Sequence, residues 1–289
     1  MDALLTTGIE GFLGRRIRDV LGQRFRLVNV PRDTRASAPA VRAFVAEHRP
    51  AAIIHLAGLI NVRHCQEHPL DAFRAHVMDT ANLLEAVRTV SPATPVVYVA
   101  TDKSFGEQER CTLSTPFQTS YVYETSKACE DMLVGTYRKT YGLSLYLLRF
   151  PNFFGEGDSH VERLIPSICL AAARGRKLTI RTRLDGTSRQ YMYVGDAADA
   201  VERTLTACLE GRPVWPNNHF GPPYIKTVGE VLRDVADVAG RSLDVEVLDQ
   251  PGEVGRLSLS DENFLSYAYT DWKVALERTY RWYAQSGSA

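Results

Sequence analysis

The sequence predicts an α/β protein: a doubly wound parallel sheet followed by a smaller C-terminal lobe. Three observations predict it. Short β-branched runs alternate with helical periodicity as far as Arg149, a glycine-rich turn separates the first run from the first helix, and a Gly-, Pro- and charge-rich segment then breaks the pattern. Parallel strands need crossover connections, so alternation of this kind means helices on both sheet faces.

The runs "ALLTTG", "FRLVNV", "AAIIHLAG", "PVVYVATD" and "LSLYLLRF" are the expected strands. After them the chain should enter a smaller lobe, residues 152–289, and return to the sheet around 190–221, leaving 1–151 as the dinucleotide-binding domain. Within the lobe "YMYV" reads as a strand, and "TVGEVLRDVADVAG" and "VALERTYRWYAQ" read as helices. No repeat is present, and low complexity is confined to the terminal "SGSA". In open parallel sheets ligands collect beyond the carboxyl ends of the strands, where the chemically interesting residues fall.

Bulk composition narrows the function. The 289 residues carry 34 basic and 34 acidic side chains and are 45% hydrophobic, as in a globular protein without a basic field to gather nucleic acid or anionic lipid. Neither an export signal nor a membrane-length apolar run is found. The five cysteines, Cys65, Cys111, Cys129, Cys169 and Cys208, are widely spaced without a CxxC pair. Reduced thiols in the cytoplasm are expected. His64 with His68, and His160 with Asp158, lack the further ligands a zinc site needs, so no metal is expected.

"TTGIEGFLG" places Gly8, Gly11 and Gly14 between a strand and a helix, the context in which such glycines cradle a dinucleotide diphosphate. The fold expected is therefore Rossmann-type. A ribose-binding carboxylate should follow about twenty residues later. Asp33 is placed for that role. Arg32 beside it suits a 2′-phosphate instead, so NAD is expected with NADP left open.

"SYVYETSKACEDM" puts Tyr123 and Lys127 four apart, on one face of a helix. An ammonium close to a phenol favours the phenolate, which predicts a lowered Tyr123 pKa and a usable base. "VATDKSFGE" ends the fourth strand with Thr101, Asp102 and Lys103 in succession.

These motifs, with "IIHLAG", "NLLEAVR", "RFPNFFGEGD", "RLIP" and the tail "YTDWKVALERTYRWY", come in an order that resembles the extended short-chain dehydrogenase/reductase family over nearly the whole chain. The likeness is to its nucleotide-sugar 4,6-dehydratases, above all those acting on CDP-glucose. It implies cofactor contacts from Gly8, Gly11, Phe12, Leu13, Gly14, Leu56, Ala57, Tyr123, Lys127 and Pro151. It implies that Thr101 binds the sugar 4-OH, Tyr123 takes its proton and Lys127 holds the phenolate and the nicotinamide ribose. Asp102, neutral beforehand, would donate to the departing C6 hydroxyl, and Lys103 would be the uncharged base at C5.

By the same resemblance Asn152, Arg163, Arg181 and Arg189 are expected on the nucleotide sugar, Arg189 most of all, because guanidinium forks suit diphosphate. A homodimer through the helix bearing Tyr123 and its neighbour is implied too. Where the family pattern reads HLAA and NVxGT, this chain has Gly58 in "HLAG" and His76 and Asp79 in "HVMDT". Two other readings stay open. A 4-epimerase or ketoreductase would need only Thr101, Tyr123 and Lys127, and a non-catalytic nucleotide sensor would need no Tyr–Lys pair.

Overall fold

A computed structural model describes residues 1–248 and 255–286; the terminal low-complexity residues 287–289 lie outside them. The first half runs β1 (Ala3–Thr7), α1 (Phe12–Leu21), β2 (Arg26–Asn29), α2 (Arg32–Arg35), α3 (Ala38–His48), β3 (Ala52–His55), α4 (Val62–Glu67), α5 (Pro69–Phe73), a π-helical turn (Arg74–Met78), α6 (Asp79–Val90), β4 (Val96–Thr101), a 3-10 turn (Asp102–Phe105), α7 (Val122–Tyr141) and β5 (Leu145–Phe150). The second half runs β6 (Asn152–Phe154), α8 (Leu164–Arg174), β7 (Leu178–Ile180), β8 (Ser188–Tyr193), α9 (Val194–Leu209), β9 (Asn217–His219), β10 (Ile225–Thr227), α10 (Val228–Ala239), β11 (Val245–Val247), β12 (Arg256–Leu257) and α11 (Trp272–Gln285).

The main sheet has six strands in the order β2-β1-β3-β4-β5-β9, all parallel. This is the Rossmann-type doubly wound sheet the alternation predicts. Every residue of β1 and β3 is buried, which is why both read as unbroken apolar runs rather than alternating ones. Between β1 and β3 the order reverses, since β2 lies on one side of β1 and β3 on the other. A crevice opens at the carboxyl ends of strands there.

Helices cover both faces. On one face Val41, Val45, Leu83, Val87 and Val134 pack against β3 and β4. On the other, Leu13, Ile17 and Leu21 of α1, spaced by four, join a core that continues through Phe150 and Phe220 into Phe154, Tyr191 and Trp272 of the second half. After β8 the chain comes back: α9 packs on α1, and β9 adds to the sheet beside β5. The small sheets β10-β8-β12, with β6 beside β8, and β11-β7 stand with α8, α10 and α11 beyond the carboxyl end of β5. None of the described helices is long and apolar enough to cross a membrane. All five cysteines are free.

Candidate active site

A cleft of about 710 Å³ runs along the carboxyl ends of the strands, lined by Gly8, Gly11, Phe12, Leu13, Gly14, Leu56, Ala57, Thr101, Lys103, Tyr123, Lys127, Pro151, Asn152 and Arg163 among others. Its floor is the glycine turn. Gly8 has φ +77°, and a Cβ there would stand 3.0 Å from the Ala57 nitrogen. A Cβ on Gly14 would overlap the Gly8 carbonyl oxygen, so α1 can approach the turn only with glycine at that place. The first turn of α1 contains no acidic residue, leaving its N–H groups and partial positive charge to an anion. A dinucleotide diphosphate fits this cradle.

Thr7 closes the turn from beneath. Its hydroxyl accepts the Leu56 and Ala57 N–H groups, both at 3.1 Å, and contacts the His55 ring at 2.7 Å. Arg32 and Asp33 lie apart, exposed on α2 and outside the residues lining the cleft. Pro31 stands at the end of β2 instead, one residue past Val30, whose N–H reaches the Thr6 carbonyl. No carboxylate therefore occupies the strand-end position itself.

The hydroxyl, acid and amine that end β4 are fixed by local hydrogen bonds. Thr101 caps the 3-10 turn, accepting the Lys103 N–H at 3.3 Å, while the Ser104 hydroxyl donates to the Thr101 carbonyl at 3.2 Å. The turn folds Asp102 inward, where it is 1% exposed. One carboxyl oxygen accepts from the Thr101 hydroxyl at 3.1 Å, and the other, Oδ2, has no partner. Burial pushes the Asp102 pKa up to about 6 against the opposing pull of Lys103, Thr101 and Arg189. Half-buried Lys103 points into the cleft and also lines a small cavity with Arg189, Glu107, Tyr121 and Glu124.

Tyr123 enters the site from the first turn of α7. Glu124 fixes that turn by accepting the Ser120 and Tyr121 N–H groups at 3.0 and 3.3 Å. The phenol is buried, with Thr101 and Asp102 from the end of β4 facing it. The expected lowering of its pKa is not found. Burial raises it first of all, and Asp102 and Glu130 add to the rise. Lys127 instead donates to Glu130, in a short ion pair one turn along α7, and to the Tyr98 phenol at 2.9 Å.

Three parts of this site escaped the sequence reading. Glu130 is fully buried, and its pKa is lowered to about 2: Lys127 and a hydrogen bond from His55 outweigh the larger single effect of burial, which acts the other way. His76, also buried, holds the Leu59 backbone and contacts the Ser126 hydroxyl at 2.8 Å, its ring edge-on to Tyr123. Desolvation, helped by the Lys127 charge, pushes its pKa down to about 4, so the ring is neutral. Thr7 and His55 are the third, directly paired by the β1–β3 register. The usable signal was an acid three residues after Lys127 on the same helix face.

Of the four residues expected on the sugar side, Asn152 and Arg163 line the cleft, Arg163 donating to the buried Asp158 at 3.0 Å. Arg189 lies beside Lys103 and donates to the Gly255 carbonyl at 2.6 Å. Arg181 is exposed and lines neither cavity.

Comparison with known proteins bears on what this geometry is for. The model of the NAD dependent epimerase/dehydratase family matches residues 4–218. The chain belongs to that family. Among curated proteins, this family member is 28% identical over 329 residues to a dTDP-glucose 4,6-dehydratase of Mycobacterium tuberculosis, covering 99% of this chain and 94% of the relative. It is 26% identical over 263 residues to a trifunctional UDP-glucose 4,6-dehydratase, epimerase and reductase of Arabidopsis thaliana, covering 87% of this chain. The match spans only 38% of that larger relative. The Thermus thermophilus UDP-glucose 4-epimerase, solved with NAD, has the same fold at a TM-score of 0.83 and 24% identity, covering 99% of this chain and 100% of that one. NAD is the cofactor of the family the chain belongs to, and the glycine cradle suits it.

Proposed function

We propose that this family member is a nucleotide-sugar 4,6-dehydratase, converting a nucleoside diphosphate hexose to its 4-keto-6-deoxy form. The observation that carries the reading is Asp102: a fully buried carboxyl with an unpartnered oxygen and a pKa raised to about 6, hydrogen-bonded to the Thr101 hydroxyl that lines the cleft with Tyr123. Oxidation or epimerisation at C4 requires a base and a hydride acceptor but no acid of this kind. A carboxyl whose pKa is raised this far keeps a protonated fraction near neutral pH that can give its proton to a leaving hydroxyl.

Thr101 positions the sugar 4-OH, and Tyr123 removes its proton as C4 is oxidised. Bound NAD supplies the hydride acceptor at C4 and the hydride donor at C6. The new ketone acidifies the C5 proton, which Lys103 removes and later returns to C5 as hydride reaches C6. Asp102 protonates the C6 hydroxyl, and water leaves. Gly8, Gly11 and Gly14 hold the diphosphate of the cofactor, with Phe12, Leu13, Leu56, Ala57 and Pro151 as the walls.

The segment 152–289 receives the nucleotide sugar, with Asn152, Arg163 and Arg189 as contacts. Arg181, exposed and outside both cavities, is set aside from that group. The relatives named for UDP- and dTDP-glucose support a nucleotide-sugar substrate without naming the base. Exposed Met132 and Tyr141 on α7, with Met78 just before α6, offer the apolar surface a homodimer through these helices would cover, and a monomeric mass in solution would refute it. Five free thiols suit a reducing, cytoplasmic setting.

The test is Asp102→Asn in a single turnover with nucleotide hexose. Reduction of bound NAD, seen by nicotinamide absorbance, should survive within about threefold while water loss falls by about a hundredfold or more. Equal loss of both steps would contradict the assignment.

A further inference from the structure

Lys127 is held from below by a buried polar chain. Its ammonium donates to Glu130 and to Tyr98. The other Glu130 oxygen accepts the Thr80 hydroxyl at 2.7 Å, the His55 ring lies 2.9 Å from that hydroxyl, and the far side of His55 meets Thr7 beneath the glycine turn at 2.7 Å. Glu130, His55, Thr80 and Thr7 are each 1% exposed or less. A lysine given only the task of steadying a phenolate would need none of this. A carboxylate placed at hydrogen-bond distance from it, in a dry interior, takes up much of its field.

We infer that Glu130 is a positioning residue that acts through Lys127: as the buried counter-ion of the lysine, it sets how much of the ammonium charge reaches the Tyr123 phenol. The inference rests on the reading of Tyr123 as the base. The groups facing the phenol are Asp102 and Thr101 from the end of β4, Cys65 from α4, the neutral His76 from the π-helical turn, and Glu130 from α7, with Lys127 lining the same cleft one turn along that helix. Those facing Glu130 are Lys127 and Asp131 on its own helix, His55 at the end of β3, Tyr98 on β4, His76, and Asp79 and Thr80 of α6. Among the described residues Glu130 bears on both the base and the lysine, and it opposes the phenolate. Removing its charge should make Tyr123 more acidic, where loss of a purely structural contact would not.

The experiment is a tyrosinate absorbance titration of the NAD-loaded enzyme, with Tyr123→Phe as the blank that isolates the Tyr123 transition. It runs beside the pH profile of NAD reduction in a single turnover. In Glu130→Gln the Tyr123 transition and the acid limb of the profile should both move down by about one pH unit or more, about tenfold in rate on the acid side. Glu130→Asp, which keeps the charge, should leave both close to wild type even if the rate falls.

A uniform loss of rate with neither curve moved overturns the inference. If Glu130→Gln does not fold, Lys127→Met is compared with Lys127→Met/Glu130→Leu, which leaves no unpaired buried charge. With the ammonium gone the second substitution should move the Tyr123 transition little, and a fall of about a full pH unit there would mean that Glu130 acts on the phenol directly and overturns the inference. The titration reads the phenol whether or not it is the base. A shifted transition with hydride transfer intact in Tyr123→Phe would therefore sink the base assignment and leave the counter-ion role standing.

Discussion

A Cβ on Gly58 would stand 3.2 Å from Cδ2 and 3.3 Å from Nε2 of the His76 ring, and that ring is pinned through both nitrogens to Leu59 and Ser126. Gly58 and His76, two of the three departures from the family pattern, are therefore one feature: the larger side chain in the helix needs the missing methyl in the loop. Gly58→Ala should cost about 1–2 kcal/mol in chemical denaturation, most of it recovered in Gly58→Ala/His76→Asn, and additive costs would deny the coupling. Asp102 makes a second prediction at this scale. Its folded pKa, about 6, is above the ordinary aspartate value of 3.8. The fold thus favours its protonated form, and the stability this gives is complete below about pH 4 and is lost as the pH rises through 6. Compared with wild type, Asp102→Asn should gain relative stability between pH 4 and pH 7, by at most about 3 kcal/mol. A difference that does not change with pH would mean that the carboxyl is not perturbed.

At the scale of elements the site is assembled from strand ends and helix starts: β1 into α1, β3 into its loop, β4 into the 3-10 turn, and α7 at its first turn. Gly14→Ala tests the tightest of these junctions. The added methyl overlaps the Gly8 carbonyl, so α1 must move and with it the N–H groups that face the diphosphate. NAD affinity should fall by about tenfold or more in an equilibrium titration, and unchanged affinity would mean that the cradle holds nothing. These junctions were legible because each carries a local signature: glycines between strand and helix, a run of polar residues ending an apolar strand, Tyr and Lys four apart. What was not legible depends on pairing between elements. Glu130 lies beside Lys127 on α7 and could have been noticed, but the Thr80, His55 and Thr7 that complete its surroundings come from α6, β3 and β1. No spacing along one segment reports that convergence. The same blindness made the phenol look more acidic than it is, because proximity to a lysine says nothing about what else the lysine holds.

For the whole molecule the alternation of strands and helices sufficed to predict the sheet, but not the single apolar core that runs from α1 through Phe150 to Trp272. That continuity puts lobe and sheet under one packing constraint. Acid should act on the whole fold at once. His76 and His219 are fully buried and are pushed down to about 4 and about 3, mainly by desolvation. Each binds its proton in the unfolded chain first, so the stability they contribute is present above about pH 6.5 and is lost as the pH falls toward those values. Several kcal/mol should disappear between pH 6.5 and pH 4 in a single cooperative transition followed by denaturant melts, partly offset by Asp102. A flat profile there would contradict the buried neutral histidines. The central claim, that the cleft oxidises C4 in order to eliminate water, is tested most directly with nucleotide hexoses carrying deuterium at C4, incubated with the NAD-loaded enzyme and followed by mass spectrometry and NMR. The product should be lighter by one water with the deuterium moved to C6; a product of unchanged mass that keeps its deuterium at C4, or none from any nucleotide hexose, would contradict it.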